Sequence, residues 1–342
     1  MREAMLYEKL DDKAVRCHLC AHRCRIREGE RGICEVRENR EGILYSLVYG
    51  RLISQAVDPI EKKPLFHVRP GSQAFSIATV GCNFRCSFCQ NYSISQLPRD
   101  HHVIEGRSVS PEEVVEAARR HRCDVIAYTY TEPTIFFEYT YDVARLAHEA
   151  GMLNVYVSNG YMTDEALDLL APLKGDRLLD AANIDLKAFT DTFYRKQCGA
   201  HLQPVLDALI SLKERGVWLE VTTLIVPTLN DSDDELREIA AFVAEGLGPD
   251  TPWHVSRFHP TYRLTDVPST PASTLRRARE IGREAGLHYV YVGNVPGDEG
   301  ETTYCPQCGE RVIPRSGYRI GKLHLRDGHC ANCGAEIPGI GM

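Results

Sequence analysis

The stretch Thr79-Val-Gly-Cys-Asn-Phe-Arg-Cys-Ser-Phe-Cys-Gln-Asn91 carries three cysteines, Cys82, Cys86 and Cys89, spaced C-x3-C-x2-C. It directly follows residues 76–81, whose apolar, β-branched pattern predicts a strand. A closed structural zinc site normally has four ligands, so three cysteines favour another centre. Three thiolates on a [4Fe-4S] cluster leave one iron without a protein ligand. A molecule with amino and carboxylate groups can chelate that iron, and S-adenosylmethionine (SAM) has both.

The alternative for this motif is a zinc knuckle completed by a histidine. The nearest downstream candidates are His101 and His102. Three features favour the cluster: the position directly after a strand, the spacing of the cysteines, and the aromatic Phe88 between the last two of them.

Composition and charge narrow the class of protein. The chain has 342 residues, of which 43% are hydrophobic and 25% charged, with a net charge of −7. A negative balance argues against a nucleic-acid-binding protein. Charges interrupt residues 1–13, so they do not form a signal peptide, and no segment approaches the ~20 apolar residues of a membrane span. We therefore expect a cytoplasmic protein without membrane or nucleic-acid partners.

Strand and helix patterns alternate beyond the motif. Strands are predicted at 76–81, 125–131, 153–159, 182–187, 218–226, 253–258 and 289–293. Helices with start and stop signals are predicted at 110–120, 163–170, 204–215, 232–246 and 273–285. This repeat predicts βαβ units and an α/β fold with a parallel sheet, which leaves a full barrel, a partial barrel and an open sheet as alternatives. In each, the chemistry belongs at the carboxyl ends of the strands.

The C-terminal region contains two C-x2-C-Gly knuckles. Their cysteines are Cys305, Cys308, Cys330 and Cys333. Disulfides are rare in a reducing compartment, and glycine permits the tight turn around a metal. The pattern predicts a zinc ribbon or rubredoxin-like site, in which we favour zinc over iron and a structural or partner-binding role.

A third group of cysteines lies near the N-terminus. It consists of Cys17, Cys20, Cys24 and Cys34. Their close spacing predicts one metal site, for which zinc and an auxiliary iron–sulfur cluster are both open, with zinc slightly preferred. His18 and His22 are alternative ligands. Of the two remaining cysteines, we expect Cys123 to be buried and inert, and Cys198 to have a lowered pKa and a candidate role as a reactive or radical-relay thiol.

Six segments along the chain carry a family resemblance: Cys17-His-Leu-Cys20, Gly32-Ile-Cys34, Asp58-Pro-Ile-Glu-Lys-Lys-Pro64, Gly81-Cys-Asn-Phe84, Cys89-Gln-Asn91 and Tyr128-Thr-Tyr-Thr-Glu-Pro133. The sequence resembles the radical SAM superfamily, the branch of the pyruvate formate-lyase activating enzymes, and most closely the radical SAM enzyme of the AmmeMemoRadiSam system. The resemblance implies a partial (β/α)6 TIM-like barrel at 74–298. It also implies an N-terminal Cys-rich metal-binding module at 1–73 and a zinc-ribbon or rubredoxin-like module at 299–342.

The resemblance assigns SAM contacts to residues at the strand ends. The family usually has Gly-Gly-Glu-Pro after the second core strand, where this chain has Tyr130-Thr-Glu-Pro133, so Thr131 and Glu132 remain as ligands of the SAM amino group. The other implied contacts are Ser158 and Asn159 (ribose or carboxylate), Lys187 (carboxylate), Asp185 (ribose), and Ile225 with Val226 (adenine). The alternatives are a surface acid at 132, an ordinary strand-to-turn pair at 158–159, an internal ion pair of Asp185 with a lysine, and core residues at 225–226.

A further group resembles a substrate-facing edge after the sixth strand: His254, Arg257, His259 and Tyr262. A single histidine is more often a structural residue than a catalytic one.

The function implied is reductive cleavage of SAM at the Cys82/Cys86/Cys89 cluster to a 5′-deoxyadenosyl radical that acts on a protein or other macromolecule. The implied partners are a flavodoxin- or ferredoxin-type electron donor and proteins of Memo and AMMECR type. Two alternatives are a glycyl-radical enzyme activase and a metal-stapled binding or electron-transfer module without SAM turnover. A SAM methyltransferase without radicals has little support, because no glycine-rich loop follows the first strand. The substrate, the fate of SAM, the reductant and the oligomeric state stay undetermined.

Overall fold

The computed structural model describes residues 1–295 and 297–342. An eight-stranded sheet lies at its centre, and its strands are spatial neighbours in chain order. They are β1 (Ser54–Pro59), β2 (Gln73–Ala78), β3 (Val125–Tyr128), β4 (Leu153–Ser158), β5 (Ala181–Asp185), β6 (Trp218–Ile225), β7 (Trp253–Arg257) and β8 (Val290–Gly293).

The register makes this sheet almost entirely parallel. Neighbours from β2 to β8 all pair in parallel; Val125 in β3, for example, is opposite Ala74 in β2 and Leu153 in β4. Only β1 is antiparallel, with Ser54 opposite Ala78. Within the described part of the chain β1 and β8 do not pair, so the sheet is open. The predicted α/β class with a parallel sheet is confirmed.

Six helices connect the seven parallel strands. They are α1 (Pro111–Arg120), α2 (Phe137–Glu149), α3 (Asp164–Leu170), α4 (Gln203–Glu214), α5 (Asp233–Ala241) and α6 (Ala272–Glu284). The start signals act as expected: the Ser110 side chain accepts from Glu113 N–H, and the Glu113 carboxylate accepts from Ser110 N–H. The succession of strands and helices gives the six βα units that a partial barrel requires.

Shorter helical segments fill several connections. They are Asp11–Lys13, Ile60–Lys62, Tyr92–Ser95, Leu97–His101, Pro133–Phe136, Asp191–Phe193, Tyr194–Cys198, Phe242–Leu247 and Glu299–Glu301. All four residues of β3 are buried, as is typical of a parallel sheet covered on both faces.

The N-terminal residues form small antiparallel sheets that are separate from the central one. One sheet consists of Arg2–Glu3, Ile43–Ser46 and Arg37–Arg40. A second consists of Tyr7–Lys9, Val15–Cys17 and Arg25–Ile26. A third pairs Arg51–Leu52 with Arg107–Ser108. The boundaries of the three modules stay a prediction. Because β1 belongs to the central sheet, the segment assigned to the N-terminal module continues into the core.

The C-terminal residues form three small hairpins. Their paired strands are Thr303–Tyr304 with Arg311–Ile313, Arg315–Ser316 with Arg319–Ile320, and Leu325–Arg326 with His329–Cys330. The buried Arg315 fastens this region to the core, because its guanidinium donates to Phe66 O at 2.6 Å. Among the described helices, none combines the length and apolarity that a bilayer crossing demands.

Candidate functional site

A cavity of about 1070 Å³ opens at the carboxyl edge of the central sheet. The three motif cysteines, Cys82, Cys86 and Cys89, contribute to its wall. So do six of the predicted SAM-contact residues: Thr131, Glu132, Ser158, Asn159, Asp185 and Lys187. Parallel strands bring their carboxyl ends to one edge, which is why residues more than 100 positions apart share this cavity.

Ile225 is the exception among the predicted contacts. Its side chain is fully buried in the hydrophobic core, and the cavity is lined instead by Leu224. Successive side chains of a strand point to opposite faces, so a one-residue shift separates cavity from core. The core alternative therefore describes Ile225, and Val226 is buried in the same core.

The cysteine loop is held by hydrogen bonds to its sulfurs and by close packing. Phe84 N–H donates to Cys82 Sγ at 3.3 Å, and Ser95 Oγ lies 3.2 Å from Cys89 Sγ. Gly81 has φ +101°, and a Cβ there would lie 2.6 Å from Val36 Cγ1. Only glycine fits this turn between β2 and Cys82 without strain.

Glu132 is a buried carboxylate at the centre of the cavity wall, with a side chain that accepts four hydrogen bonds. Oε1 accepts from Thr134 N at 3.0 Å, Thr134 Oγ1 at 2.6 Å and Ser158 Oγ at 2.7 Å. Oε2 accepts from Asn159 N at 2.8 Å. Burial raises the pKa of Glu132, although these donors oppose the shift. The carboxylate is fixed in place, and Oε2 keeps capacity for one more donor.

Asp185 and Lys187 form an internal ion pair, the arrangement given above as the alternative to SAM contacts, with Nζ 2.8 Å from Oδ2. Burial opposes the charge on Lys187, but Asp185 and the thiols of Cys86 and Cys198 raise its pKa overall. Since both residues also line the cavity, the pair presents one cation and one anion to a bound molecule.

Tyr130, Asp58 and Lys63 form a polar cluster at the cavity rim to which sequence reasoning gave no role. Tyr130 has φ +64°, the left-handed region that favours glycine. This explains why the family pattern has glycine at the position. The ring is held by the Lys63 ammonium 4.5 Å from its centroid, and its hydroxyl donates to Asp58. The signal was present in Asp58-Pro-Ile-Glu-Lys-Lys-Pro64, which sequence reasoning used only as a family marker.

The predicted substrate-facing edge divides into two parts. His254, Arg257 and His259 line the cavity. Within this set His254 is buried, with Nε2 2.7 Å from Glu220 Oε2, which is the structural arrangement expected of most histidines. Tyr262 stacks on Tyr92 with ring centroids 4.7 Å apart and donates to Asp100 at 2.7 Å.

Comparisons with known proteins agree with this geometry. The profile of the Radical SAM superfamily matches residues 76–243, from β2 to the helical segment Phe242–Leu247 that follows α5. An uncharacterized protein of Methanocaldococcus jannaschii is 52% identical over 339 residues, which cover 98% of this chain and 99% of that protein. Residues 76–243 of the chain therefore form a radical SAM domain.

Two more distant similarities extend the comparison. The pyruvate formate-lyase-activating enzyme of Clostridium pasteurianum is 24% identical over 169 residues, covering 48% of this chain and 66% of that enzyme. Streptococcus suis SuiB, in a structure with the precursor peptide SuiA, superimposes with a TM-score of 0.51 at 14% identity, over 70% of this chain and 52% of that one. The second match shows a shared fold.

The cavity suits the cofactors of the radical SAM superfamily. Asn83 Nδ2 is buried beside Cys82 without a hydrogen-bond partner in the described structure. A fixed carboxylate and a lysine face the same space, which suits a ligand with an ammonium and a carboxylate group.

Cys198 lies against the cluster loop of this radical SAM protein. Arg85 N–H donates to its carbonyl at 2.9 Å. The expectation of a lowered pKa is wrong, because burial and the neighbouring Cys86 raise the pKa of Cys198. Cys123 is buried, as expected.

The C-terminal tetrad has the geometry of a mononuclear metal site. The sulfurs of Cys305, Cys308, Cys330 and Cys333 all lie within 4.8 Å of one another. Cys305 and Cys333 are 3.6 Å apart, and Cys308 and Cys330 are 3.7 Å apart. A Zn–S bond of ~2.3 Å in a tetrahedron gives an S–S separation of about 3.8 Å.

The same C-terminal region contributes to the cavity. Glu301, Gly317 and Tyr318 are among its lining residues, and Tyr318 is half exposed at a hairpin turn. The cavity thus extends from the cysteine loop at one end to the C-terminal hairpin at the other.

Proposed function

We propose that this protein reductively cleaves SAM with a [4Fe-4S] cluster held by Cys82, Cys86 and Cys89. The observation that carries the proposal is the single cavity shared by these thiols, the buried Glu132 and the Asp185–Lys187 pair. When bound, the cluster supplies the electron that splits SAM into methionine and a 5′-deoxyadenosyl radical.

The residues of the chain position SAM. Glu132 Oε2 accepts from its ammonium, and Lys187 pairs with its carboxylate. Asp185 accepts from a ribose hydroxyl. Ser158 fixes Glu132 through the 2.7 Å hydrogen bond, and Asn159 donates its N–H to the same carboxylate. Thr131 contributes its backbone oxygen, because its hydroxyl donates to Thr79 O at 2.9 Å.

We propose a protein or other macromolecule as the substrate. The cavity is wide, and its far end reaches the exposed Tyr318 of the C-terminal hairpin. SuiB has a similar fold in its structure with a precursor peptide, which supports a polypeptide substrate at this end of the cavity. The similarity to a pyruvate formate-lyase-activating enzyme supports activation of a glycyl-radical enzyme as the second candidate.

The remaining assignments follow from the family resemblance. We propose that the protein works in the AmmeMemoRadiSam system with partners of Memo and AMMECR type. A flavodoxin- or ferredoxin-type protein is its proposed electron donor and the cytoplasm its proposed location. We also propose that the C-terminal tetrad holds zinc, since its sulfur separations equal those of a tetrahedral zinc site.

The test is an anaerobic assay of reconstituted protein with SAM and dithionite, scored for 5′-deoxyadenosine. The control is the Cys82→Ala/Cys86→Ala/Cys89→Ala variant. We expect product from the unmodified chain and none above background from the variant. A chain with a verified [4Fe-4S] cluster that forms no product, even with candidate partners, would favour a binding or electron-transfer module.

A further inference from the structure

The four N-terminal cysteines lie in adjoining segments of the chain. Cys17 ends a strand, Cys20 and Cys24 follow in the next turns, and Cys34 precedes the strand Arg37–Arg40. Of these thiols, only that of Cys24 is more than slightly exposed. Cys17 N–H donates to Cys24 O at 2.9 Å, and a Cβ on Gly32, two residues before Cys34, would lie 3.7 Å from Cys24 Sγ. The segments that carry Cys17, Cys24 and Cys34 are therefore in contact.

A buried cation lies beside the tetrad with an unused donor. Arg37 is 1% exposed, and its guanidinium pairs with Glu138 at 2.6 Å. Arg37 begins the strand that follows Cys34, and its carbonyl accepts from Gly32 N–H at 2.9 Å. In the described structure its Nε has no hydrogen-bond partner. A buried N–H of this kind normally has an acceptor, so the site suits an anionic group that is not part of the polypeptide.

The separation of the sulfurs distinguishes between the candidate centres. Two thiolates on one zinc ion cannot lie more than about 4.6 Å apart, twice the ~2.3 Å bond length. Among these four cysteines, all within the described residues, no set of three lies within 4.8 Å of one another. The radical SAM motif shares this wider separation, whereas the C-terminal tetrad does not. An iron–sulfur cluster distributes its cysteines over several irons and accommodates the wider set.

We propose that Cys17, Cys20, Cys24 and Cys34 hold a second iron–sulfur cluster. Its inorganic sulfides supply acceptors for Arg37 Nε. The site does not depend on SAM cleavage, so it stands or falls separately from the proposed function.

This second centre packs directly behind the radical SAM loop. His22 Nε2 lies 2.9 Å from Asn83 O, and Arg99 donates to Ile33 O at 2.7 Å and to Cys82 O at 3.4 Å. A Cβ on Gly81 would lie 3.3 Å from Cys34 O. The ligand loops of the two centres are thus in contact.

The test is the metal and acid-labile sulfide content of the full chain, purified anaerobically. We expect about one zinc per chain, at the C-terminal tetrad, and iron and sulfide in excess of the ~4 of each that one [4Fe-4S] cluster accounts for. The Cys82→Ala/Cys86→Ala/Cys89→Ala variant should retain the excess. Adding Cys17→Ser and Cys34→Ser should remove it while the zinc remains.

If a variant fails to fold, the metal and sulfide contents of the unmodified chain still test the proposal. About two zinc per chain, with iron and sulfide at ~4 or less, would overturn the proposal. Cys123→Ser is the matched control, because Cys123 is a single buried cysteine outside the three groups, and its contents should equal those of the unmodified chain. A chain with excess iron and sulfide but no 5′-deoxyadenosine would support the second cluster and contradict only the proposed function.

Discussion

The two flanking cysteine tetrads differ in three-dimensional spacing and in what they touch. The C-terminal sulfurs form pairs 3.6 and 3.7 Å apart in a hairpin region at the far end of the cavity. The N-terminal sulfurs are more widely spread and lie behind the radical SAM loop. A group of four cysteines therefore indicates a metal centre. The distances between the sulfurs indicate whether that centre is a single ion or an iron–sulfur cluster. The difference also suggests that the N-terminal centre supports the cluster and the C-terminal one the substrate end of the cavity.

The largest expected effect concerns the C-terminal tetrad. Cys305→Ser with Cys333→Ser should remove the zinc completely, because two of four ligands are lost. The hairpins should then unfold locally, since a structural zinc contributes about 10–16 kcal/mol of binding energy in small modules. Zinc content and limited proteolysis measure both effects. Iron and sulfide should stay unchanged, and a loss of iron would contradict the assignment of the two tetrads to different metals.

The next effect tests the two ends of the cavity. Glu132→Gln removes the charge that pairs with the SAM ammonium, and a hydrogen bond to a charged group is worth about 1.5–3 kcal/mol. SAM affinity should fall roughly 10- to 100-fold in anaerobic calorimetry. Glu301→Gln is the matched control at the C-terminal end, where SAM affinity should change less than about twofold. Equal losses in both variants would contradict the placement of SAM beside the cysteine loop.

A smaller effect tests the contact between the N-terminal tetrad and the radical SAM loop. Gly81→Ala places a Cβ 2.6 Å from Val36 Cγ1, whereas a Cβ on Gly29, also at positive φ, meets nothing within 4 Å. Both variants carry the backbone strain, but only Gly81→Ala carries the clash, typically about 1–3 kcal/mol. Denaturant unfolding should separate the two variants by that amount. Equal stabilities would show that the loop is not packed against Val36.

The smallest effect concerns Tyr318 on the C-terminal hairpin. Tyr318→Ala should leave SAM affinity unchanged and lower turnover of the macromolecular substrate roughly 2- to 10-fold, because an aromatic contact is worth about 0.5–1.5 kcal/mol. Tyr318→Phe keeps the ring and should retain most of the turnover. Steady-state kinetics with the identified substrate provide the measurement. A Tyr318→Ala variant with weakened SAM binding would contradict the separation of the two cavity ends.

Much of the fold was predictable because buried parallel strands have a recognisable residue composition. The buried strands are rich in β-branched and aromatic residues, and capping residues such as Ser110 mark the helix starts. The antiparallel β1 escaped prediction, since Ser54–Pro59 (SQAVDP) contains three polar residues and only two adjacent apolar ones, Ala56 and Val57. Helix α2 escaped as well: its first turns, after Pro133–Phe136, are aromatic, and its N-cap residue Phe136 makes no side-chain cap.

The candidate site was predictable to the extent that its residues end parallel strands. Glu132 and Lys187 reach the cavity for this reason, whereas the choice between Leu224 and Ile225 depends on the face of the strand, which the motif does not specify. The Tyr130 cluster could not be predicted. Asp58 and Lys63 reach Tyr130 because of the edge strand β1, and β1 has no recognisable strand pattern in the sequence. Distances between sulfurs within each tetrad are likewise set by the folded loops and not by spacing along the chain.

The most direct test of SAM binding at the Cys82/Cys86/Cys89 cluster is electron paramagnetic resonance of the reduced chain with and without SAM. A cluster with one open iron changes its signal when SAM chelates that iron. We predict a SAM-dependent change in the unmodified chain and none in the Cys82→Ala/Cys86→Ala/Cys89→Ala variant. Identical spectra with and without SAM, in a chain with its full iron and sulfide content, would contradict the account.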